Sequence, residues 1–95
     1  NDIVESVERK GAMFEERLKR HPRILAIRRP GLLMALELGQ SEYLYKLMDI
    51  FKEEGIMSDW FLYCDTAFRI SPPLTISESE IEECCTIIER SLDRL

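Results

Sequence analysis

The stretch that most restricts what this chain can become is Phe68-Arg69-Ile70-Ser71-Pro72-Pro73-Leu74, an apolar strand that carries one arginine and runs into two prolines. Alternation along a strand sends Phe68 and Ile70 to one face and Arg69 to the other. Neither proline can donate to a ladder, and the first holds Ser71 extended, so the strand must end beside Arg69. An arginine is thereby fixed at a strand terminus, facing away from the core. Its guanidinium stays charged at any working pH and presents a planar fork of donors suited to a carboxylate or a phosphate. On residue type alone, the same arginine also reads as a surface ion pair.

The rest of the chain supplies a scaffold for that strand. Val4, Val7, Gly11, Phe14 and Leu18 recur at steps of three and four between charged residues, which predicts an amphipathic first helix. Asp2 and Glu5 favour its positive end, and Lys19, Arg20 and His21 its negative end. Pro22 is expected to stop it, leaving His21 as a surface residue at the helix end and neither a general base nor a ligand. Two strands follow, Ile24 to Arg29 and Leu32 to Leu38, joined by Pro30-Gly31 in the central positions of a type II turn. Leu32, Met34, Leu36 and Leu38 share one face of the second strand. Leu33 and Ala35 make the other face apolar too, so a cover from outside this chain is expected there.

In the second helix, Leu44, Leu47, Met48 and Phe51 form the stripe, Ser41 is the expected N-cap, and Glu42 with Lys46 is an i, i+4 pair. Gly55 should end it in the left-handed conformation, with Ile56 closing over Phe51. Ile56 to Tyr63 reads as extended, and Asp65-Thr66 turns the chain into the strand that bears Arg69. The last helix has the clearest start: Ser77 and Glu80 have capping-box spacing, and Ile76 and Ile81 that of a hydrophobic staple. Ile81, Cys84, Cys85, Ile88 and Leu92 form its inward stripe. The order α-β-β-α-β-β-α predicts an α+β fold, a small, mainly antiparallel sheet with helices on one face.

A length of 95 residues fits one domain. A net charge of -5 argues against nucleic acid, because a phosphate backbone requires clustered cations and Arg28-Arg29 is too short a run. No apolar stretch reaches the roughly 18 residues needed to cross a bilayer, so no membrane partner is expected. Cys64, Cys84 and Cys85 make an odd count without metal-ligand spacing; they read as reduced, packed thiols of a cytoplasmic protein, with no metal site. The glycines are isolated, which excludes a phosphate-cradling loop. No nucleophile is paired with a base, and Lys10, Lys19, Lys46 and Lys52 lie among charges on helices, where nothing would lower an amine pKa for Schiff-base chemistry. From the residues, then, no catalytic group is expected in this chain, and Arg69 is its one anion-binding candidate. Because it opens Asn1-Asp2-Ile3, with no initiator methionine, the chain reads as a piece of something longer.

The segment Arg28-Arg29-Pro30-Gly31-Leu32-Leu33-Met34-Ala35-Leu36-Glu37-Leu38, the helix ending at Gly55-Ile56, and Phe68 to Ser77 ahead of an acidic helix resemble the C-terminal small domain of class III aminotransferases. These are pyridoxal phosphate enzymes of fold type I that include ornithine, acetylornithine and 4-aminobutyrate aminotransferases. The resemblance covers essentially residues 1–95. The family pattern Arg-Gly-x-Gly-Leu-Met is matched here by Arg28, Gly31 and Leu32, with Arg29-Pro30 in place of Gly-x, a departure that bears on substrate subclass. The resemblance implies that Arg69 holds a substrate carboxylate, or a gating glutamate from the large domain, at a site shared by two subunits of a homodimer. It further implies amino acid and 2-oxo acid substrates, and a cofactor held by a large domain outside this chain, so that the chain alone is inactive. The alternative is a stand-alone α+β module that binds an acidic metabolite or partner through Arg69.

Overall fold

A computed structural model describes residues 2–29, 31–56 and 58–95. Helix α1 spans Asp2–Leu18, α2 Ser41–Glu54 and α3 Glu78–Asp93; strands β1 (Ala26–Arg28), β2 (Met34–Glu37), β3 (Phe61–Cys64) and β4 (Ala67–Ile70) form one sheet. All pairings are antiparallel, in the order β1-β2-β4-β3. Each hairpin is thus local in sequence, and β2 joins β4 at the centre.

The predicted α+β architecture and element order are observed. Met34, Leu36, Phe61, Phe68 and Ile70 turn inward and meet Phe14 and Leu18 of α1, Leu44, Leu47 and Phe51 of α2, and Ile81, Cys85, Ile88 and Leu92 of α3. Phe51 lies 5.1 Å from Phe61 and 5.7 Å from Phe68, centroid to centroid, so an aromatic cluster of tilted and edge-on rings backs the strand that carries Arg69. Beyond Ile70, the Ser71 N–H donates to the Trp60 carbonyl at 2.7 Å, and Pro72 is buried, which fixes where the strand stops.

Local signals translate directly. Gly55 has φ 76° and the N–H of Ile56 reaches the Phe51 carbonyl at 3.1 Å, closing α2. Ser77 accepts from the Glu80 N–H, and Glu80 accepts from the Ser77 N–H, completing the box at α3. Gly31 adopts the φ of 62° for which glycine was needed in the first hairpin; Pro30, the other half of the expected type II turn, lies outside the described residues.

Several expectations need correction. The N-cap of α2 is Gln40, not Ser41, which is already helical, and no side chain caps this end. Glu42 and Lys46 are both exposed and form no ion pair, since holding two long side chains together in water gains too little. Ile50, not Met48, completes the buried stripe of α2, a small rotation of the helix about its axis. The stretch from Ile56 is not extended throughout: Ser58–Trp60 forms a 3-10 turn before β3 begins. Helix α1 stops at Leu18, ahead of the expected proline stop, and His21 is partly buried where an exposed residue was expected. Its side chain is 9% exposed, its Nε2 sits 2.7 Å from Asp93 Oδ1 at the end of α3, and its Nδ1 accepts the Arg23 N–H. An Nδ1 that accepts leaves the proton on Nε2, so His21 donates to Asp93 and ties the C-terminal ends of two helices together.

Candidate functional site

Arg69 stands where alternation requires: Phe68 and Ile70 are fully buried, and Arg69 is exposed on the opposite face of the sheet. Its strand, β4, is central, so the guanidinium rises from the middle of the sheet. Leu33 at 45% exposure and Leu62 at 64% share that face, and no described residue covers it. The apolar second face of β2, read from Leu33 and Ala35, is therefore observed as a face left open.

Register assembles a row across that face. Arg28 of β1 pairs with Ala35 of β2, Ala35 with Arg69 of β4, and Arg69 with Leu62 of β3. Two shallow depressions flank the row. One, of about 220 Å³, is lined by Arg28, Leu33, Met34, Ala35 and Arg69. The other, of about 200 Å³, adds Glu37, Cys64, Asp65 and Thr66 to Arg28, Ala35 and Arg69. Cys64, expected to pack, is exposed at this edge because it is in phase with Leu62 and not with the buried Phe61. Larger grooves elsewhere on the surface do not include the row.

The charges in the row differ in how they are held. The Arg69 side chain makes no hydrogen bond and no ion pair with any described residue, so the surface ion pair is not observed within this chain. Arg28 donates one long hydrogen bond, 3.4 Å, to Glu37. Glu37 is anchored more firmly elsewhere: it accepts from the Thr66 hydroxyl and, at 2.9 Å, from the Gly39 N–H. The Thr66 hydroxyl and the Gly39 N–H hold its carboxyl below the usual carboxylate range against the opposing effect of burial, and Arg28 adds a smaller contribution in the same direction.

Arg29 points the other way. Its Nε donates to Glu15 and its Nη1 to Glu8, both at 2.9 Å, and Nη1 also reaches the Gly31 carbonyl at 3.0 Å. Those acceptors keep it charged even though its side chain is only 13% exposed. The hairpin between β1 and β2 is thus latched to α1, directly over Gly11. Sequence reasoning treated Arg28-Arg29 as a short charge run and did not separate the two. The alternation that buries Ile27 in part was the available signal, since it sends Arg28 to the open face.

The family profile described as aminotransferase class-III matches residues 1–92. The chain is 30% identical over 96 residues to the acetylornithine aminotransferase of Listeria innocua, covering 97% of this chain and 24% of that protein. It is 36% identical over 74 residues to ornithine aminotransferase 2 of Staphylococcus aureus, covering 76% of this chain and 18% of that one. Among solved structures, the ornithine aminotransferase of Toxoplasma gondii superposes with a TM-score of 0.82 at 29% identity, covering 98% of this chain and 23% of that one. The acetylornithine aminotransferase of Elizabethkingia anophelis gives 0.82 at 25% identity, covering 99% and 26%. The chain therefore spans about a quarter or less of the length of these relatives. With the residues of its hairpin, helix caps and Arg69 strand in the family's order, and the profile matched along nearly all of its length, the chain belongs to the class III aminotransferases.

Proposed function

We propose that residues 1–95 serve as the C-terminal small domain of a pyridoxal phosphate-dependent aminotransferase, in which Arg69 receives the carboxylate of an amino acid or 2-oxo acid substrate. One observation carries this reading: a permanently charged guanidinium, without a partner among the described residues, at the centre of a sheet face that none of them covers. A cation held there without a counterion leaves its donors to a ligand, and the open face around it suits a large domain that would exclude water from the contact. The relatives' names, acetylornithine and ornithine aminotransferase, describe substrates that carry such a carboxylate.

The family implies the cofactor, but the described residues of this chain do not fit it. Lys19, Lys46 and Lys52 are exposed, and Lys10 donates to the Leu74 carbonyl at 3.1 Å, so none is a desolvated amine. Gly31, Gly39 and Gly55 serve separate turns and a helix cap, not a phosphate loop. On this reading the cofactor-binding groups belong to a large domain of the same polypeptide, the enzyme is a homodimer of the cytoplasm, and the isolated chain has no activity.

The test is Arg69→Lys in the full-length enzyme, which keeps the charge and removes the bidentate fork. Loss of a charged hydrogen bond in a water-poor site costs about 1.5–3 kcal/mol, so kcat/KM for a carboxylate-bearing donor should fall roughly ten- to a hundredfold. An amine lacking the carboxylate should lose much less, and the cofactor should stay bound. Equal small losses on both donors would overturn the role given to Arg69.

A further inference from the structure

Of the two strands that end the sheet, only β3 is left unguarded. β1 is three residues long and carries Arg28, with Arg29 beside it, and both shortness and charge discourage a further strand. Phe61–Cys64 has no charge, no proline and no bulge against β4, and its aromatic and apolar residues suit a pleated strand. Its pairing with β4 fixes which backbone groups it spares. The Trp60 carbonyl takes the Ser71 N–H, and alternate residues of an antiparallel pair exchange bonds, so Leu62 bonds with Arg69 and Cys64 with Ala67. The N–H and C=O groups of Phe61 and Tyr63 therefore point out of the sheet, and no described residue bonds to them.

Charge decides what can take up those groups. Exposed Asp59 and Asp65 flank β3 at its two ends; neither forms an ion pair with a described residue, and Asp65 takes only a long contact, 3.9 Å, from the Cys64 thiol. A second copy pairing antiparallel about Leu62 would set Asp59 against Asp65 at each end, and like charges directly opposite oppose that pairing. The same two carboxylates favour a strand with a cation at each end.

We propose that the outer edge of β3 is a docking site for a separate polypeptide, which adds an extended segment to the sheet, apolar in its middle and carrying lysine or arginine at both ends. Its backbone bonds to Phe61 and Tyr63, its central side chain lies beside Leu62, which is 64% exposed, and its cations reach Asp59 and Asp65. Arg69 plays no part in this contact.

The probe is the capped peptide Lys-Thr-Val-Val-Val-Thr-Lys, titrated into the full-length enzyme in a calorimeter. It should bind saturably and tighter than about 1 mM, whereas the peptide with glutamate at both ends, and the peptide N-methylated at its first and third valines, should not. Asp59→Asn combined with Asp65→Asn should weaken the lysine peptide about two- to fivefold per carboxylate. Asparagine tolerates the φ of 55° that Asp65 adopts, so the turn survives. Tyr63→Pro removes an outward donor, leaves the ladder to β4 intact and should abolish binding; if that variant fails to fold, the N-methylated peptide carries the backbone part of the test. A lysine peptide that does not bind overturns the proposal. Equal binding of the glutamate peptide, or no loss in the double asparagine variant, overturns the selection by charge, and equal binding of the N-methylated peptide overturns strand addition. Concentration-dependent self-association of the enzyme that Tyr63→Pro abolishes would assign the edge to a second copy and overturn the separate partner.

Discussion

Gly11 offers the sharpest conflict between what local propensity and tertiary structure predict. It lies inside α1, where replacing glycine by alanine ordinarily gains about 1 kcal/mol of helix stability. Here an added Cβ would sit 2.3 Å from the Gly31 carbonyl oxygen and 2.6 Å from Arg29 Nη1. Ordinary contact begins near 3.4 Å, so the hairpin and the helix would have to part by 3.4 − 2.3 = 1.1 Å. The oxygen belongs to the backbone and cannot swing aside, and parting the two elements pulls Arg29 from Glu8 and Glu15. Overpacking of this kind costs about 1–3 kcal/mol, and the stiffness of the obstacle favours the upper part of that range. After the propensity gain is subtracted, Gly11→Ala should be about 1–2 kcal/mol less stable than the native chain, which lowers Tm by roughly 4–8 °C per kcal/mol in a domain of this size. Urea denaturation followed by circular dichroism measures this directly, read as a lower midpoint at unchanged slope. A variant as stable as the native chain, or more so, would refute the argument that the hairpin is seated on the glycine.

Two further outcomes follow from titratable groups. The folded Glu37 carboxyl is depressed below the unfolded glutamate value of about 4.3, so its contribution to stability is fully present above that pH and is lost as pH falls through the lower folded value; Thr66→Val, which removes the largest cause of the depression, should move that loss to higher pH in denaturation midpoints collected between about pH 3 and 5. Burial pushes the Cys84 and Cys85 thiols up to about 11 and about 12, so at about pH 8 a thiol-reactive dye should label the exposed Cys64 rapidly and the other two only on unfolding, whereas rapid labelling of all three would contradict the packing of α3.

The elements that the sequence revealed are those whose signals close within a few residues. Gly55 caps α2 through a bond to Phe51, and Ser77 and Glu80 satisfy each other across three positions, so spacing alone identifies them. Arg69 was legible for a related reason, since two prolines and a two-residue period leave one orientation open. What escaped was settled by partners far along the chain. His21 is occupied by Asp93, 72 residues away, and its own helix end gives no hint of that contact. Arg28 and Arg29 are chemically identical neighbours, and only the pairing of β1 with β2 and the docking of α1 divide them into an open-face cation and a latch. Ser41 misled because serine suits a cap in general, while the observed first turn closes from the Gln40 carbonyl to the Leu44 N–H.

The strand order has a consequence for how the arginine row comes into being. Within each hairpin, paired residues are close in sequence: Arg28 meets Ala35, and Cys64 meets Ala67. The seam between the hairpins joins Glu37 to Ala67 and Met34 to Ile70, closing loops of 30 and 36 residues with α2 and the 3-10 turn threaded between. Closing such loops is the slow, entropically costly part of folding, and it follows the local turns. Arg28 and Arg69 therefore come to share one row across the sheet only after that seam has formed. Amide exchange along β2 and β4 would report the formation of that seam.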